Sequence, residues 1–282
     1  MALKALFSDR SVLLDLFLYN AIWIFAIAAI AQSPLSNDPV ALASACLAIT
    51  FWGFGSILNS YSDFYSLPEG SELLAQLSYT LFYPLALIAI PRSLVRGRKL
   101  NPLALLDSAI FGLGISSIAT ALFLTRVFPQ SLINLQDQFF SLLFPVSDLL
   151  LLTLAAIAVI THRLQKRALL LFLGILIFSA SDLFYLWLSV NNSYTFGQIT
   201  DDGWLIGIVI IANSFWHAQS STTSEITIHP VFIALSIFIS PTLLALMALR
   251  PGIFSIYILI PTIATLFLAF IRMTIVIRQA RN

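Results

Sequence analysis

The sequence carries very little charge. Only 10% of its 282 residues are charged, with 14 Lys and Arg against 13 Asp and Glu, which gives a formal net charge of +1. A soluble globular domain usually has about a quarter charged residues, and a disordered chain needs low hydrophobicity. Because hydrophobic residues make up 59% of this chain, both classes are excluded. The lack of a basic excess also argues against a nucleic-acid partner.

Residues for metal, thiol and cofactor chemistry are equally scarce. Cys46 is the single cysteine, which excludes an intrachain disulfide, and with three histidines it does not supply a structural zinc cage. Retinal needs a buried lysine for its Schiff base, but Lys4, Lys99 and Lys166 are terminal or in predicted loops. No phosphate-binding loop, nucleophile elbow or zinc-protease motif occurs in the sequence. We therefore expect no cofactor, no metal site and no catalytic residue in this chain.

Long apolar runs dominate what remains. A membrane-spanning helix needs about 20 mostly apolar residues, because the hydrocarbon core is about 30 Å thick. Nine segments meet this requirement, at about residues 12–31, 40–58, 73–90, 103–125, 139–161, 168–190, 203–219, 230–249 and 253–277. Backbone groups in lipid must bond within their own segment, which favours helices. The sequence predicts an all-α, polytopic transmembrane helix bundle of about nine spans, forming a single integral membrane domain over residues 1–282.

The basic residues predict the orientation of the bundle, because short cytoplasmic loops are enriched in Lys and Arg. With nine spans, ten of the 14 basic residues fall on one side. They are Arg92, Arg96, Arg98 and Lys99, then Arg163, Lys166 and Arg167, and finally Arg272, Arg278 and Arg281. This side and the C-terminus should be cytoplasmic, which leaves the N-terminus outside. A cleaved signal peptide ending near Ala31 is an alternative for the first segment.

Two carboxylates lie deep within predicted spans, where charge is costly and a functional role is the default hypothesis. At 1.5 Å per residue, Asp148 lies about 15 Å and Asp182 about 12 Å from the nearer end of its span. Pro145 shares a helix face with Asp148, and Tyr185 shares one with Asp182. The predicted ligand-sensing pocket consists of Tyr83, Pro84, Pro145, Asp148, Asp182 and Tyr185. The alternative is that these side chains merely hold the helices together through hydrogen bonds.

Other polar and aromatic residues have simpler expected roles. Asp15 and Asp107 lie near the starts of predicted spans, where a carboxylate caps free backbone amides. Asp201 and Asp202 are expected to do the same for the seventh span. Tryptophans near outer span ends are expected to anchor helices in the membrane interface. They are Trp52, Trp187 and Trp204.

Several short motifs follow one another in a recognisable order. They are Phe82–Pro84, Leu106-Asp107, Phe144–Asp148, Ser181–Tyr185, Tyr194–Gly197, Asp202–Trp204 and Ile277–Gln279. This order resembles the N-terminal multi-spanning membrane (sensor) region of bacterial GGDEF/EAL-type signalling proteins, which are diguanylate cyclases and phosphodiesterases. The resemblance covers about residues 70–282. It implies a sensory membrane region that controls a cytoplasmic output module of the cyclic-di-GMP type.

The sequence departs from that pattern in ways that limit what is carried over. Phe144 stands where the pattern usually has tyrosine, and Ala86 and Leu87 follow Tyr83-Pro84 without an aspartate. No GGDEF or EAL motif occurs in the chain, so any cyclase activity would belong to a domain absent here. The chain is expected to be either the membrane part of a longer protein or a stand-alone version of it.

The leading hypothesis is a sensory or regulatory domain of the bacterial cytoplasmic (inner) membrane. A ligand or a membrane signal would bias two helix packings, and the last span would pass the change to a signalling domain or partner at the C-terminus. Expected partners are the lipid bilayer, a small-molecule ligand and a second copy in a homodimer. The alternative is a small secondary transporter, favoured by the midplane Asp148 and by a weak repeat of Leu81–Leu85 in Leu143–Val146. A membrane enzyme is a third hypothesis, but the sequence shows no cluster of nucleophile, base and metal ligands.

Overall fold

The computed structural model describes residues 12–34, 38–94, 102–119, 135–161, 165–218, 230–248 and 259–281. These residues form helices, turns and short connections, and no strand occurs among them. The expected all-helical fold is therefore confirmed for the described part of the chain.

The described residues contain nine α-helices, which match the nine apolar segments in order. They are α1 (Tyr19–Ala31), α2 (Pro39–Ser62), α3 (Ser71–Leu94), α4 (Pro102–Ala119), α5 (Leu135–Thr161), α6 (Lys166–Val190), α7 (Ile199–Ser214), α8 (Pro230–Ala248) and α9 (Leu259–Arg281). A π-helical stretch, Val12–Leu18, leads directly into α1. The predicted ninth span begins earlier than α9, and its residues 253–258 lie outside the described ranges.

Six helical stretches are long and apolar enough to cross a membrane. They are Val12–Ala31, Pro39–Ser62, Ser71–Leu94, Phe139–Val159, Lys166–Ser189 and Pro261–Gln279. The apolar parts of α4 and α8 are shorter, at Leu106–Ile118 and Ile233–Leu243. Helix α7 has 16 residues, or about 24 Å at 1.5 Å per residue. The count of nine spans goes beyond this finding and stays a prediction, as does the C-terminal orientation.

The chain divides into two compact units, which alternate along the sequence. Unit 1 comprises residues 1–98 and 164–221, and unit 2 comprises residues 99–163 and 222–282. Unit 1 therefore contains α1, α2, α3, α6 and α7, whereas α4, α5, α8 and α9 belong to unit 2. The expectation of a single membrane domain over residues 1–282 stays a prediction.

Unit 1 is a ring of five helices. Helix α2 packs against α1 and α3, α7 packs against α1 and α6, and α3 contacts α6 to close the ring. Small residues allow close approach, as is usual between membrane helices. A methyl group at Gly207 of α7 would come within 2.8 Å of the Gly174 carbonyl oxygen on α6, and one at Gly53 of α2 would overlap the Trp23 ring on α1. The α6–α7 pair is therefore in backbone contact.

The two ends of unit 1 differ in charge. We call residues 12–20, 52–83 and 182–204 the acidic half, since they include seven carboxylates and no Lys, Arg or His. These carboxylates are Asp15, Asp63, Glu69, Glu72, Asp182, Asp201 and Asp202. We call residues 29–34, 38–39, 90–94, 165–167 and 214–217 the basic end. Its basic side chains are Arg92, Lys166, Arg167 and His217.

An ion pair joins α2 to α3 at the basic end. The carboxylate of Asp38 accepts hydrogen bonds from the Val40 and Ala41 amides at 2.9 and 3.2 Å, which caps α2. Arg92 Nη2 lies 2.9 Å from Asp38 Oδ2. Burial pushes the pKa of Asp38 upward, but its bonds to Arg92 and to the two amides outweigh that effect and leave the pKa below its ordinary value.

Unit 2 is built around α4, which packs against α5, α8 and α9. Gly112 lies against Leu150 of α5, Gly114 lies against Ser236 of α8, and Ser116 Oγ donates to the Val146 carbonyl at 3.2 Å. These small residues let α4 occupy the centre of the unit. Apolar length alone did not indicate which helix would be central.

Asp107 does not cap α4, so that prediction is wrong. The helix begins at Pro102, which places Asp107 in its second turn, and the carboxylate pairs with Arg272 of α9. Asp107 is partly buried, and hydrogen bonds between a guanidinium and a carboxylate are stronger than those between neutral groups. Asp15 is buried in the π-helical stretch, and Asp201 and Asp202 lie in the first turn of α7, whose N-cap residue is Gln198.

Candidate ligand site

The carboxylate of Asp182 joins three helices of unit 1. It lies in the interior of α6, where Oδ1 accepts a hydrogen bond from Trp204 Nε1 of α7 at 2.7 Å. Oδ2 accepts one from the Tyr83 hydroxyl of α3 at 3.2 Å. Both carboxylate oxygens therefore have donors that suit an ionised acid. Loss of these hydrogen bonds would therefore alter the contacts of α6 with both α3 and α7.

The local sequence explains how these groups meet. Gly203, next to Trp204, lies so close to Ser181 that a methyl group there would overlap the Ser181 hydroxyl. The absence of a side chain thus brings the start of α7 against α6 at the level of Asp182. On α3, Tyr83 is buried while Pro84 is exposed. Pro84 therefore acts through the helix backbone, where it removes one amide donor.

Aromatic rings surround this carboxylate. Trp52 of α2 is buried, and its ring centroid lies 6.4 Å from Trp204, 6.3 Å from Tyr79 and 5.9 Å from Phe178. Such distances and tilted or edge-on angles are those of favourable aromatic pairs. The expected role of Trp52 as an interface anchor is wrong, because its side chain is only 5% exposed. Apart from Ile49, the other buried residues of α2 are Ala, Ser and Gly, and this pattern is the signal that could have placed Trp52 inside.

We call these rings, Trp52, Tyr79, Phe178 and Trp204, the aromatic wall. Tyr185 extends this wall toward the connection between α6 and α7. Its ring lies 5.4 Å from Trp204 and 4.7 Å from Tyr194. Trp187, two residues further along α6, is half exposed, as an interface residue would be. The sequence reasoning included Tyr185 in the pocket but missed Tyr194, since this residue follows the helix and carries no helical periodicity.

A second carboxylate lies beside this wall. Asp201 is almost fully buried and accepts hydrogen bonds from the Tyr194 hydroxyl at 2.8 Å and from the Gly197 amide. Gly197 has a φ of 94°, a conformation that glycine adopts without strain. Burial and the charge of Asp201 raise the pKa of Tyr194 above its ordinary value, so this phenol stays protonated and keeps donating.

The acidic half is also rich in tyrosine. Seven of the eight tyrosines in the sequence fall in it, and the eighth, Tyr257, lies outside the described residues. The seven are Tyr19, Tyr61, Tyr65, Tyr79, Tyr83, Tyr185 and Tyr194. Aromatic faces and carboxylates both attract cations, and no described basic side chain of this half competes for them. The arrangement suits a positively charged or hydrogen-bond-donating ligand.

The structure distributes the six predicted pocket residues over both units. Tyr83, Asp182 and Tyr185 converge in unit 1, and Pro84 follows Tyr83 on α3. Pro145 and Asp148 lie one turn apart on α5 of unit 2, where both are buried. That all six residues line one pocket stays a prediction. Within the described residues, no three His, Cys, Asp or Glu side chains are grouped so that they could hold a metal ion.

Comparison with known proteins adds no relative. No protein-family model, no curated protein and no solved structure matches the chain. The resemblance to membrane regions of GGDEF/EAL-type proteins therefore rests only on the short sequence motifs that suggested it.

Proposed function

We propose that the chain is a sensory or regulatory domain of the bacterial inner membrane, with nine spans and a cytoplasmic C-terminus. Six helices long enough to span a bilayer support the membrane location. The charge pattern of unit 1 supports the orientation, because Arg92, Lys166 and Arg167 meet at one end and the acidic half carries none of the described basic residues. The shorter α4, α7 and α8 would complete the bundle, with the bilayer covering its exposed apolar side chains.

The observation that carries the proposal is the three-helix junction at Asp182. A ligand that binds this carboxylate competes with the hydroxyl of Tyr83 and the indole of Trp204. It would thereby favour one helix packing over another, which is all that a ligand needs to do to act as a signal. Because the acidic half combines carboxylates with aromatic rings, we propose an ammonium-type cation as the ligand class.

The output of such a sensor would pass through α9. Its cytoplasmic end, with Arg278, would lead into or bind a signalling module of the cyclic-di-GMP type, as the resemblance implies. The chain itself would then bind and relay a signal while a catalytic module elsewhere makes or degrades the messenger. A homodimer would suit this role, because it would bring two cytoplasmic output modules close together.

Choline and its neutral carbon isostere, 3,3-dimethylbutan-1-ol, test the proposed ligand class. The full chain is placed in nanodiscs and titrated with each probe while tryptophan fluorescence is recorded. Choline should bind and the alcohol should not, and Asp182→Asn should weaken choline binding about tenfold or more, as expected for a charged hydrogen-bond acceptor. Asp202→Asn removes one negative charge from the same half and serves as the matched control. Equal binding of both probes would overturn the cation hypothesis.

The regulatory role needs a separate readout. Hydrogen exchange of α9 is compared with and without bound choline in the same nanodiscs. A sensor requires that exchange near Arg278 change when the ligand binds, whereas a plain binding protein leaves it unaltered. An unchanged α9 with full choline occupancy would contradict the proposed function even if the ligand class is correct.

Transport is the second candidate function, and Asp148 favours it. This side chain is fully buried within the apolar stretch Phe139–Val159 and follows Pro145 by one turn. Buried carboxylates beside helix-breaking prolines are typical of transporter sites near the membrane midplane. Uptake of labelled choline by proteoliposomes, abolished by Asp148→Asn, would support transport over sensing.

A further inference from the structure

The start of α6 contains a buried arginine. Arg167 is the second residue of this helix, and its side chain is only 1% exposed. Its Nη1 donates to the His217 carbonyl oxygen at 3.0 Å, and its guanidinium lies 5.0 Å from the centroid of the Phe215 ring. Its Nε and Nη2 are also buried, and neither has a hydrogen-bond partner among the residues that the structure describes. Two charge-bearing donors of one guanidinium therefore remain to be satisfied.

A carbonyl oxygen and an aromatic face do not neutralise this cation. A buried charge is stable when it is paired and fully hydrogen-bonded, and costly otherwise. Arg92 at the same end follows that rule, because Asp38 pairs with it. Asp38 is also the one carboxylate in the described residues of the basic end. Within the described part of the chain, Arg167 has no ion pair like the one between Arg92 and Asp38.

The backbone at this point also favours an anion. The residue that precedes α6, Gln165, makes no side-chain cap hydrogen bond to the amides of the first turn. Helical side chains lean toward the N-terminus of their helix, which brings the Arg167 guanidinium to the same end as those amides. Free amides and the positive end of the helix dipole make such a terminus a natural anion site.

We propose that the start of α6 binds a phosphate-type oxyanion, with Arg167 as its principal ligand. The planar guanidinium can give two parallel hydrogen bonds to such a group, through the Nε and Nη2 donors that are still available. If the basic end faces the cytoplasm, the phosphate of an anionic lipid headgroup lies at this depth, and basic pockets between helices on that side are known to hold such headgroups. A soluble phosphate compound presents the same chemistry. This site is separate from the Asp182 junction and does not depend on the function proposed for it.

Thermal unfolding of the full chain in nanodiscs tests the site. Discs of phosphatidylcholine alone are compared with discs that also contain phosphatidylglycerol, and with phosphatidylcholine discs in sodium phosphate against sodium chloride of equal ionic strength. A bound anion should raise the unfolding temperature, because it binds the folded state. A rise with phosphatidylglycerol alone identifies a lipid phosphate, and a rise with inorganic phosphate identifies a soluble one. No rise in either comparison would overturn the proposal.

Three variants separate this site from general attraction to a basic surface. Arg167→Gln should abolish the rise and weaken binding about 10- to 100-fold, as expected for hydrogen bonds to a charged group. Arg92→Gln and Lys166→Gln remove a charge at the same end and should retain the rise. The rise should also persist at high salt, which screens exposed charges far more than buried ones. An unchanged rise in Arg167→Gln, or one lost equally in all three variants, would contradict the assignment.

Native mass spectrometry keeps the proposal testable if Arg167→Gln fails to fold. The wild-type chain is released from phosphatidylglycerol discs, and its bound lipids are counted with and without added inorganic phosphate. Retention of one phosphatidylglycerol, or its displacement by phosphate, is the expected result. Complete loss of lipid and no adduct of phosphate would refute the site without any variant.

Discussion

Asp182 connects three helices through two hydrogen bonds, so its partners can be tested one at a time. Tyr83→Phe removes a donor to this carboxylate while retaining the ring, whereas Trp204→Phe removes the indole donor together with part of the ring that packs against Trp52 and Tyr185. Hydrogen bonds between membrane helices contribute about 0.6 kcal/mol on average and up to about 1.7. Tyr83→Phe should lower the free energy of unfolding in mixed micelles by that amount, and Trp204→Phe should lower it by more, because ring contacts are lost as well. Tyr65→Phe, at an exposed ring whose centroid lies 4.6 Å from that of Tyr61, is the control and should leave the free energy of unfolding unchanged.

The measurement also has a clear contrary result. If Tyr83→Phe behaves like Tyr65→Phe, the hydroxyl of Tyr83 does not hold α3 to α6. The double variant Tyr83→Phe/Trp204→Phe should lose more than the sum of the two single losses, since Asp182 would then lose both of these donors.

Through Asp38, the stability of the folded chain should depend on pH. Its pKa is lower in the folded chain than its ordinary value of 3.8, so the stabilisation from this group is present above that value. It is lost as the pH falls through the lowered folded-state pKa, because the protonated acid no longer pairs with Arg92. Acid unfolding of Asp38→Asn should therefore depend less on pH below about 4 than that of wild type. Glu69→Gln, at an exposed glutamate of the acidic half, should retain the wild-type dependence.

At the level of the helices, α6 and α7 form a hairpin whose backbones touch. Gly207→Ala places a methyl group within 2.8 Å of the Gly174 carbonyl, and the helices must separate to accept it. Overpacking of this kind costs about 1–3 kcal/mol. Ala180→Leu adds bulk to an exposed position of α6 and should be tolerated. A Gly207→Ala variant as stable as Ala180→Leu would show that α6 and α7 can accept a methyl group at this contact without loss of stability.

Apolar length predicted the order of the nine described α-helices, because a long apolar segment in lipid must satisfy its backbone hydrogen bonds within itself and therefore favours a helix. Partner choice was harder to predict. Nothing within α4 or α9 indicates that Asp107 would pair with Arg272, since the two lie far apart in the chain and both sit inside apolar runs. The position of Trp52 was predicted wrongly, because an amphipathic indole ring suits the membrane interface and a packed interior equally well.

The candidate site shows the same limit. Tyr83, Asp182 and Tyr185 were found from their depth and spacing, which are properties of a single helix. Trp204 and Tyr194 were missed as site residues, because their roles depend on how α7 and the segment before it fold back onto α6. Contacts across helices follow from backbone approach at glycines such as Gly203. That approach cannot be read from hydropathy.

For the whole molecule, the proposed topology can be tested with single cysteines. Cys46 is replaced by alanine, and cysteine is then introduced at Glu69 in one variant and at Arg281 in another. A membrane-impermeant maleimide should label Glu69→Cys in intact spheroplasts, and Arg281→Cys only after permeabilisation. Lys166→Cys, at an exposed position of the basic end, should behave like Arg281→Cys. Labelling of Arg281→Cys in intact cells would refute the proposed orientation.

The ring of unit 1 also has a mechanical consequence. Helices α2 and α3 pack closely as one hairpin, and α6 and α7 pack as another, while α1 joins α2 to α7 on one side. On the other side the hairpins meet where α3 touches α6, and the hydrogen bond from Tyr83 to Asp182 crosses that seam at 3.2 Å. Trp204 and Asp182 belong to the same hairpin. We expect that a molecule that draws Asp182 away from Tyr83 would let the two hairpins separate at this seam, with α1 as their remaining connection.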